Sequence, residues 1–245
     1  MVEVPRQYNA SVVLDENLNA GRADRVAIYY GDERITYGQL LRRVCRCGSA
    51  LRRLGVRREE RVVMVLNDTP AFPTVFYGAL RIGAVPVPTN PLLRWEDHRY
   101  FIEDSYARVV VADAEHLDKV RQAAAGLPDV TLVVAGGRAA GALNLDDLLA
   151  GGDDELPPVA THRDDMAFIL YSSGSTGLPK GVVHLHHDIP YTCETYAKHV
   201  LRLTDADVTY SAAKLFHAYG LGNNMTFPYR AGAATVLTPA RPAPA

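Results

Sequence analysis

"LYSSGSTGLPKG", Leu170–Gly181, is the densest run of small, hydroxyl-bearing and glycine residues in the chain, and it carries a lysine at its end. "MAFILYSS" (166–173) leads into it, an apolar run of strand length. A loop of this composition after a strand presents backbone N–H groups, Ser and Thr hydroxyls and an ammonium to one point. That is the donor set a polyphosphate needs. The same composition also suits a flexible Gly/Ser connector, and the residues of the loop alone leave both readings open. Two other readings fall away. A Walker loop needs Ser or Thr after its lysine, and here Gly181 follows Lys180. A nucleophile elbow needs glycine two residues before the serine, which neither Ser173 nor Ser175 has.

Outward from the loop, strand and helix patterns alternate. "RVAIYY" (25–30) reads as a strand and "GDERI" as a turn into a short second one. "TYGQL" opens a helix with Thr36 three residues before Gln39, a capping-box spacing. Leu41, Val44, Gly48 and Leu51 then form its buried stripe, and Gly55 stops it. "RVVMVL" (61–66) is an apolar β-branched run, as in a strand covered on both faces. "NDTP" starts a helix carrying Phe72, Val75, Phe76, Ala79 and Leu80, which ends near Gly83. The prolines of "AVPVPTNP" forbid a helix and place it at a sheet edge or in a loop. "RWEDHRYFIEDS", "ARVVVAD", "LDKVRQAAAGLP" and "VTLVVAGG" repeat helix and strand. "VVHLHHDIPYTCETYAKHVL" (182–201) reads as a helix or strand interrupted near Pro190. "DVTYSAA" and "AATVLT" read as strands on either side of a helix. The alternation predicts an α/β fold, a mainly parallel sheet with helices on its faces. The acidic, Gly/Pro-rich segment 150–165 predicts a boundary: a first α/β sub-domain over 1–152, a linker over 153–163 and a second sub-domain from 164 to 245.

Composition is that of an ordinary globular chain, with 48% hydrophobic and 22% charged residues among 245. A net charge of −2 gives no basic field for nucleic acid or an anionic membrane. No apolar run approaches the roughly 20 residues of a membrane span, and the N-terminus is not patterned as a secretory signal. The arginines at 42, 43, 46, 52, 53, 57, 58 and 61 read as a solvated helix face. Three cysteines make no disulfide framework, which predicts a reducing, cytoplasmic setting. Cys45 and Cys47 fall two apart inside a helical pattern and point to different sides. His184 and His187 are spaced to share a helix face, but no carboxylate completes a familiar metal set.

"YSSGSTGLPKGVVH" closely resembles the phosphate-loop signature of the adenylate-forming superfamily of acyl-CoA synthetases, luciferases and peptide-synthetase adenylation domains. Other stretches are similar in the family's order: "ITYGQL" (35–40), "LRIGAVPVPTNP" (80–91) and "AAKLFHAYGLGN" (212–223). The finer resemblance is to benzoate-CoA ligases and hydroxybenzoate relatives, carried by "YNASVVLDENLNAGRADRVAIYY" and "SAAKLFHAYGLGNNMTFP". Two departures stand out. Lys214 precedes "LFH" where many fatty-acid ligases have proline, and His217 stands where benzoate ligases usually carry Phe.

The resemblance implies that an aromatic carboxylate attacks the α-phosphate of ATP, giving an acyl-adenylate, and that coenzyme A then displaces AMP. Neither step needs a protein nucleophile, so no catalytic residue is expected in this portion. Positioning and charge stabilisation carry the rate. Ser172, Ser173, Gly174, Ser175, Thr176, Gly177 and Lys180 are implied to hold the β- and γ-phosphates, with the Thr176 hydroxyl a candidate Mg²⁺ ligand. Phe216, His217, Ala218, Tyr219 and Gly220 are implied to form the acyl pocket, Ala218 and Gly220 leaving room for a flat ring beside Tyr219.

The sequence ends at "TVLTPARPAPA" (235–245), before the family's later adenine-binding motif and its lysine-bearing C-terminal domain. The chain on its own is therefore expected not to form acyl-CoA at a ligase's rate. Two alternatives remain at this point: a non-catalytic nucleotide- or partner-binding remnant, and adenylation that serves a carrier-protein thiol.

Overall fold

The computed structural model describes residues 2–172 and 177–240. Chain order begins with helix α1 (Val12–Asn19), strands β1 (Val26–Tyr30) and β2 (Glu33–Thr36), and helix α2 (Tyr37–Arg53). Then come β3 (Arg61–Val65), α3 (Ala71–Arg81), β4 (Val85–Pro88), α4 (Trp95–Asp104), β5 (Ala107–Asp113) and α5 (Leu117–Ala124). β6 (Thr131–Ala135), β7 (Leu143–Asn144) and α6 (Leu145–Ala150) follow. After the 150–165 segment stand β8 (Met166–Ser172), β9 (Lys180–Leu185) and α7 (Asp188–Thr192), the last continued by a π-helix over Cys193–Leu201. The chain closes on β10 (Val208–Thr209), α8 (Ala218–Leu221), α9 (Phe227–Ala231) and β11 (Ala234–Leu237).

β3 is the pivot. It pairs in parallel with β4 on one side and β5 on the other, in a five-stranded sheet of order β4-β3-β5-β6-β7. Its alternate residues serve two cores. Val62 and Met64 join Val109 and Val111 beneath Leu40, Val44, Phe72, Val75 and Phe76 of α2 and α3. Val63 and Val65 join Val110 and Ala112 beneath Ile102, Val120 and Ala123 of α4 and α5. The result is a three-layer α/β arrangement, as the uninterrupted apolar run of β3 predicts. β4 takes the edge of this sheet, where its two prolines cost no ladder hydrogen bond.

The capping box forms: the Gln39 amide donates to Thr36 Oγ1 at 3.2 Å and the Thr36 amide donates to Gln39 Oε1 at 2.9 Å. The buried face of α2 differs from the expected stripe. Leu40 is buried and Leu41 only partly, and Cys45 and Cys47 are both buried, because α1, α3 and α6 all pack on this helix. Where α2 crosses α3, a Cβ on Gly48 would stand 3.0 Å from the Gly78 carbonyl oxygen, so only glycine permits this approach. Arg42, Arg52, Arg53, Arg57 and Arg58 are exposed, but Arg43, Arg46 and Arg61 are partly buried and only the residues up to Arg53 lie on α2; the run also tethers the 150–165 segment. Arg46 pairs with Asp154 at 2.5 Å, and Arg58 pairs with Asp165.

A second, mixed sheet has the order β10-β11-β1-β2. β1 and β2, from before the 150–165 segment, thus share a sheet with β10 and β11, from after it. The segment itself is stitched down: the Val159 amide donates to the Arg81 carbonyl at 2.9 Å and the Tyr8 amide to the Thr161 carbonyl at 3.0 Å.

Three details correct the sequence reading. Residues 182–201 are not one interrupted element: β9 ends at Leu185 and α7 starts at Asp188. Pro190 falls in the first turn of α7, where its missing N–H has no intrahelical partner to lose. His184 therefore sits on a strand and shares no helix face with His187. The β8–β9 pair is antiparallel, Ser172 opposite Lys180, so the element after the glycine loop, read as a helix or strand, is a strand. The strand expected over "DVTYSAA" is only Val208–Thr209.

Candidate active site

A cleft of about 530 Å³ opens between the β8–β9 hairpin, the β4 edge with α4, and the segment leading into α8. β8 contributes Leu170, Tyr171 and Ser172; β9 contributes Val182 and His184. The third wall is Phe216, His217 and Ala218. The cleft therefore brings the foot of the glycine loop against the segment expected to hold an acyl group. On the fourth side stand Pro88, Thr89, Asn90, Leu93, Asp97 and Phe101. None of these was singled out as a site residue from the sequence, although "AVPVPTNP" and "WEDH" were each read as elements.

The hairpin is anchored at both ends of its loop. Ser172 and Lys180 face each other in register, and the Tyr100 hydroxyl of α4 donates to the Pro179 carbonyl at 2.9 Å. Tyr171 lies 4.4 Å from Phe101, centroid to centroid, and its hydroxyl donates to Asp104 at 2.6 Å. Burial, with the Asp104 carboxylate beside it, pushes the Tyr171 phenol well above the usual range. It stays a neutral donor. Ser172, Gly177 and Lys180 are exposed. Ser173, Gly174, Ser175 and Thr176 lie outside the described residues.

The five residues expected to form the acyl pocket divide. Phe216 is half-buried, and its ring centroid lies 4.3 Å from that of His217. His217 caps α8 in an extended conformation, its amide donating to the Lys214 carbonyl at 3.0 Å. Ala218 lines the cleft beside them. Tyr219 is 67% exposed and is not part of the lining. Gly220 is buried, and a Cβ there would stand 2.2 Å from the Lys214 carbonyl oxygen. Its smallness serves a fold-back of the chain on itself.

The three histidines of "HLHH" have separate roles. His184 stacks on Phe168 at 4.4 Å and 5° in the cleft, with Nδ1 3.4 Å from an Asp188 oxygen. His186 is fully buried, its Nδ1 accepting the Ala10 N–H at 3.1 Å, and burial lowers its pKa to about 4. His187 stands 3.0 Å from Asp164 and 3.2 Å from Asp188. Among the described residues no three His, Cys, Asp or Glu side chains gather to hold a metal ion. Cys47 is buried, which pushes its thiol up to about 12. Among those residues no helix is long and apolar enough to cross a membrane.

Layered α/β sheets, flanking helices and a glycine-rich hairpin opening on the cleft define the N-terminal domain of the adenylate-forming enzyme fold. The chain belongs to the family described as AMP-binding enzyme, whose profile matches residues 14–245. It is similar to a benzoate–CoA ligase of Thauera aromatica, 44% identical over 247 residues, which cover 100% of this chain and 46% of that one. It is also similar to a 4-hydroxybenzoate–CoA/benzoate–CoA ligase of Rhodopseudomonas palustris, 45% identical over 239 residues, 97% of this chain and 44% of the relative. Among solved structures, the anthranilate CoA ligase AuaEII in complex with anthranoyl-AMP superposes with a TM-score of 0.94 at 36% identity, covering 97% of this chain and 46% of that one. The chain thus spans about half the length of the curated relatives it matches.

Proposed function

We propose that the chain is the carboxylate- and phosphate-binding portion of an AMP-forming ligase that activates an aromatic acid of the benzoate or hydroxybenzoate type. The observation that carries this reading is the single cleft in which Ser172, at the foot of the phosphate loop, meets Phe216, His217 and Ala218. Its walls suit a flat ring. Phe101, Leu170, Tyr171 and Phe216 are apolar or aromatic, and rings gain from offset and edge contacts beyond their buried area. The polar lining residues are Thr89, Asn90, Asp97, Ser172, His184 and His217.

In the first step a carboxylate oxygen attacks the α-phosphorus, and the bond to the bridging oxygen breaks to release pyrophosphate. In the second, the thiolate of coenzyme A attacks the acyl carbonyl and AMP leaves. The protein's part is to hold the reactants within bonding reach and to meet charge on the phosphates. Ser172, Gly177 and Lys180, with residues 173–176 between them, hold the β- and γ-phosphates. The Lys180 ammonium meets the charge that builds on departing pyrophosphate. Mg²⁺ accompanies ATP, and the Thr176 hydroxyl is its candidate ligand on this chain. Bound there, the ion would supply positive charge to the phosphate oxygens.

Calorimetric titration of the 245-residue chain with ATP and with benzoate, followed by benzoate-dependent ATP–pyrophosphate exchange, tests this. Binding of both ligands, with ATP binding weakened about tenfold in Lys180→Ala, is the expected result. Unchanged ATP binding in that variant removes Lys180 from the site. Binding of neither ligand overturns the reading.

A further inference from the structure

The strand order β4-β3-β5-β6-β7 reverses direction between β3 and β5. In sheets of that kind the crevice beyond the carboxyl ends of those two strands is where a ligand binds. Asp68 lies three residues past the end of β3 and is 2% exposed. Its Oδ1 accepts the N–H of Leu215 at 3.0 Å, 147 residues away in sequence, and its Oδ2 stands 3.8 Å from the Lys214 ammonium. Leu215 is fully buried. Lys214 reaches the other way as well, donating to the carbonyls of Thr238 and Ala240 at 2.8 and 2.6 Å, just past β11. The Leu215 backbone is thus held by Asp68 past the end of β3, while the Lys214 side chain ties the same turn to the segment past β11.

The residues that follow are Phe216, His217 and Ala218, the third wall of the cleft. The chain then folds back so closely that a Cβ on Gly220 would lie 2.4 Å from the Ala213 carbonyl oxygen and 2.2 Å from that of Lys214. Phe216, His217 and Ala218 thus stand between two fixed points, the Leu215 N–H and the fold-back at Gly220. A carboxylate as desolvated as Asp68 is tolerated only where its hydrogen bonds are met. Burial raises its pKa, against the opposing pull of the Leu215 N–H and the Lys214 charge. The desolvation is concentrated on one backbone N–H, the one that begins the cleft wall.

We infer that Asp68 is a positioning residue for the aromatic-acid wall: by holding the Leu215 N–H it sets where Phe216 and His217 stand. It touches neither substrate, and it acts on the acid side of the cleft while leaving the phosphate loop alone. This rests on the reading of the cleft as an aromatic-carboxylate site.

The test uses the 245-residue chain and three variants. Asp68→Asn keeps an oxygen for the Leu215 N–H, Asp68→Leu removes it, and Lys214→Met loosens the same turn from the opposite side. Amide exchange at residues 214–221 and the dissociation constants for benzoate and for ATP are measured on each. The expected pattern is faster exchange and roughly tenfold weaker benzoate binding in Asp68→Leu, with ATP binding within twofold of wild type and the Asp68→Asn values restored toward wild type. Benzoate binding unchanged in Asp68→Leu overturns the inference, and so does an equal loss for benzoate and ATP, which marks a general structural role. If Asp68→Leu does not fold, Lys214→Met decides: weaker benzoate binding with intact ATP binding supports the inference, and wild-type affinity for benzoate overturns it. A wild-type chain that binds ATP but no aromatic acid overturns the reading of the cleft itself, a result distinct from any of these.

Discussion

Val62, Val63, Met64 and Val65 of β3, with Leu66 just after it, are all fully buried, whereas Val182 and Val183 on β9 are each 45% exposed. In the first region apolar area holds the chain, and the hydrogen bonds run between neighbouring strands. In the second, short elements are held by a few long-range polar contacts: His186 on the Ala10 amide, Asp68 on the Leu215 amide, and Asn224 on the Val236 carbonyl. The sheet is a scaffold, and the hairpin with its neighbours is the proposed site. Stability resides in one and ligand geometry in the other, the usual division between scaffold and binding segments.

The largest expected effect tests that division where the two regions touch. Phe76 of α3 is fully buried between Phe72, Tyr77 and Phe168 of β8, with centroid distances of 6.4, 5.4 and 5.5 Å. Phe76→Ala removes a ring from this cluster and should cost about 3–5 kcal/mol in chemical denaturation. Val183→Ala, the contrasting change on the hairpin, should stay within about 0.5 kcal/mol. A comparable loss in both would mean that the hairpin is as much a part of the core as the sheet.

What could be read from sequence follows the same division. The double-sided apolar run of β3, the Thr36–Gln39 box and the edge position of the prolines in β4 are local signals, and each has a local physical cause. The foot of the glycine loop and the Phe216–His217–Ala218 segment were singled out by resemblance to the adenylate-forming family, since the composition of the loop alone leaves a flexible connector open. The opposite wall, from Thr89 to Phe101, was not, since nothing in an ordinary helix start reveals that it faces a cleft. Nor was Asp68: a single hydrogen bond across 147 residues leaves no periodicity behind. Gly220 was read for the right property, small size, with the wrong neighbour. Helix α6 was within reach, because Asn144 caps it through the Asp147 amide at 2.8 Å, a spacing visible in "NLDD".

The next effect, of middle size, uses pH. His98 in the sheet layer and His186 in the site region are both fully buried, and burial lowers each to about 4 from an ordinary 6.5. A depressed folded-state pKa contributes stability that is present above about 6.5 and lost as pH falls through about 4. Each is worth up to roughly 3 kcal/mol across that window. Asp113 has the opposite sign. Burial raises it to about 6, so its contribution is present below its ordinary value and lost as pH rises through 6. Two histidines outweigh one aspartate, so acidification from pH 7 to 4 should lower the unfolding free energy. His186→Asn keeps an acceptor for the Ala10 N–H and removes the titration. It should reduce the acid slope by about one proton's worth, read from denaturation curves at several pH values. A variant with the full wild-type slope would show that His98 and other groups of the sheet layer carry the acid sensitivity alone.

The smallest effect concerns the 150–165 segment, which runs between the two regions. It is held at both ends of the burial scale. Arg81, with its side chain 4% exposed, donates from both terminal nitrogens to Asp15 at 2.7 and 2.8 Å and from Nε to the Leu156 carbonyl. Arg46 pairs with Asp154 at 2.5 Å, but with side chains 39% and 54% exposed. The two contacts look alike in a hydrogen-bond diagram and differ in what replaces them. When Asp154 loses its charge, water takes over the guanidinium at little cost, because the pair is exposed and screened. When Asp15 is removed, Arg81 is left buried with no counter-charge, a change that typically costs about 3–5 kcal/mol. Asp154→Asn should therefore leave the denaturation midpoint where it is in the wild type, at low salt and in high salt alike, where exposed charges are screened further. A clear, salt-insensitive drop of the midpoint in Asp154→Asn would mean that the Arg46 pair, and with it the surface end of the segment, is part of the scaffold after all.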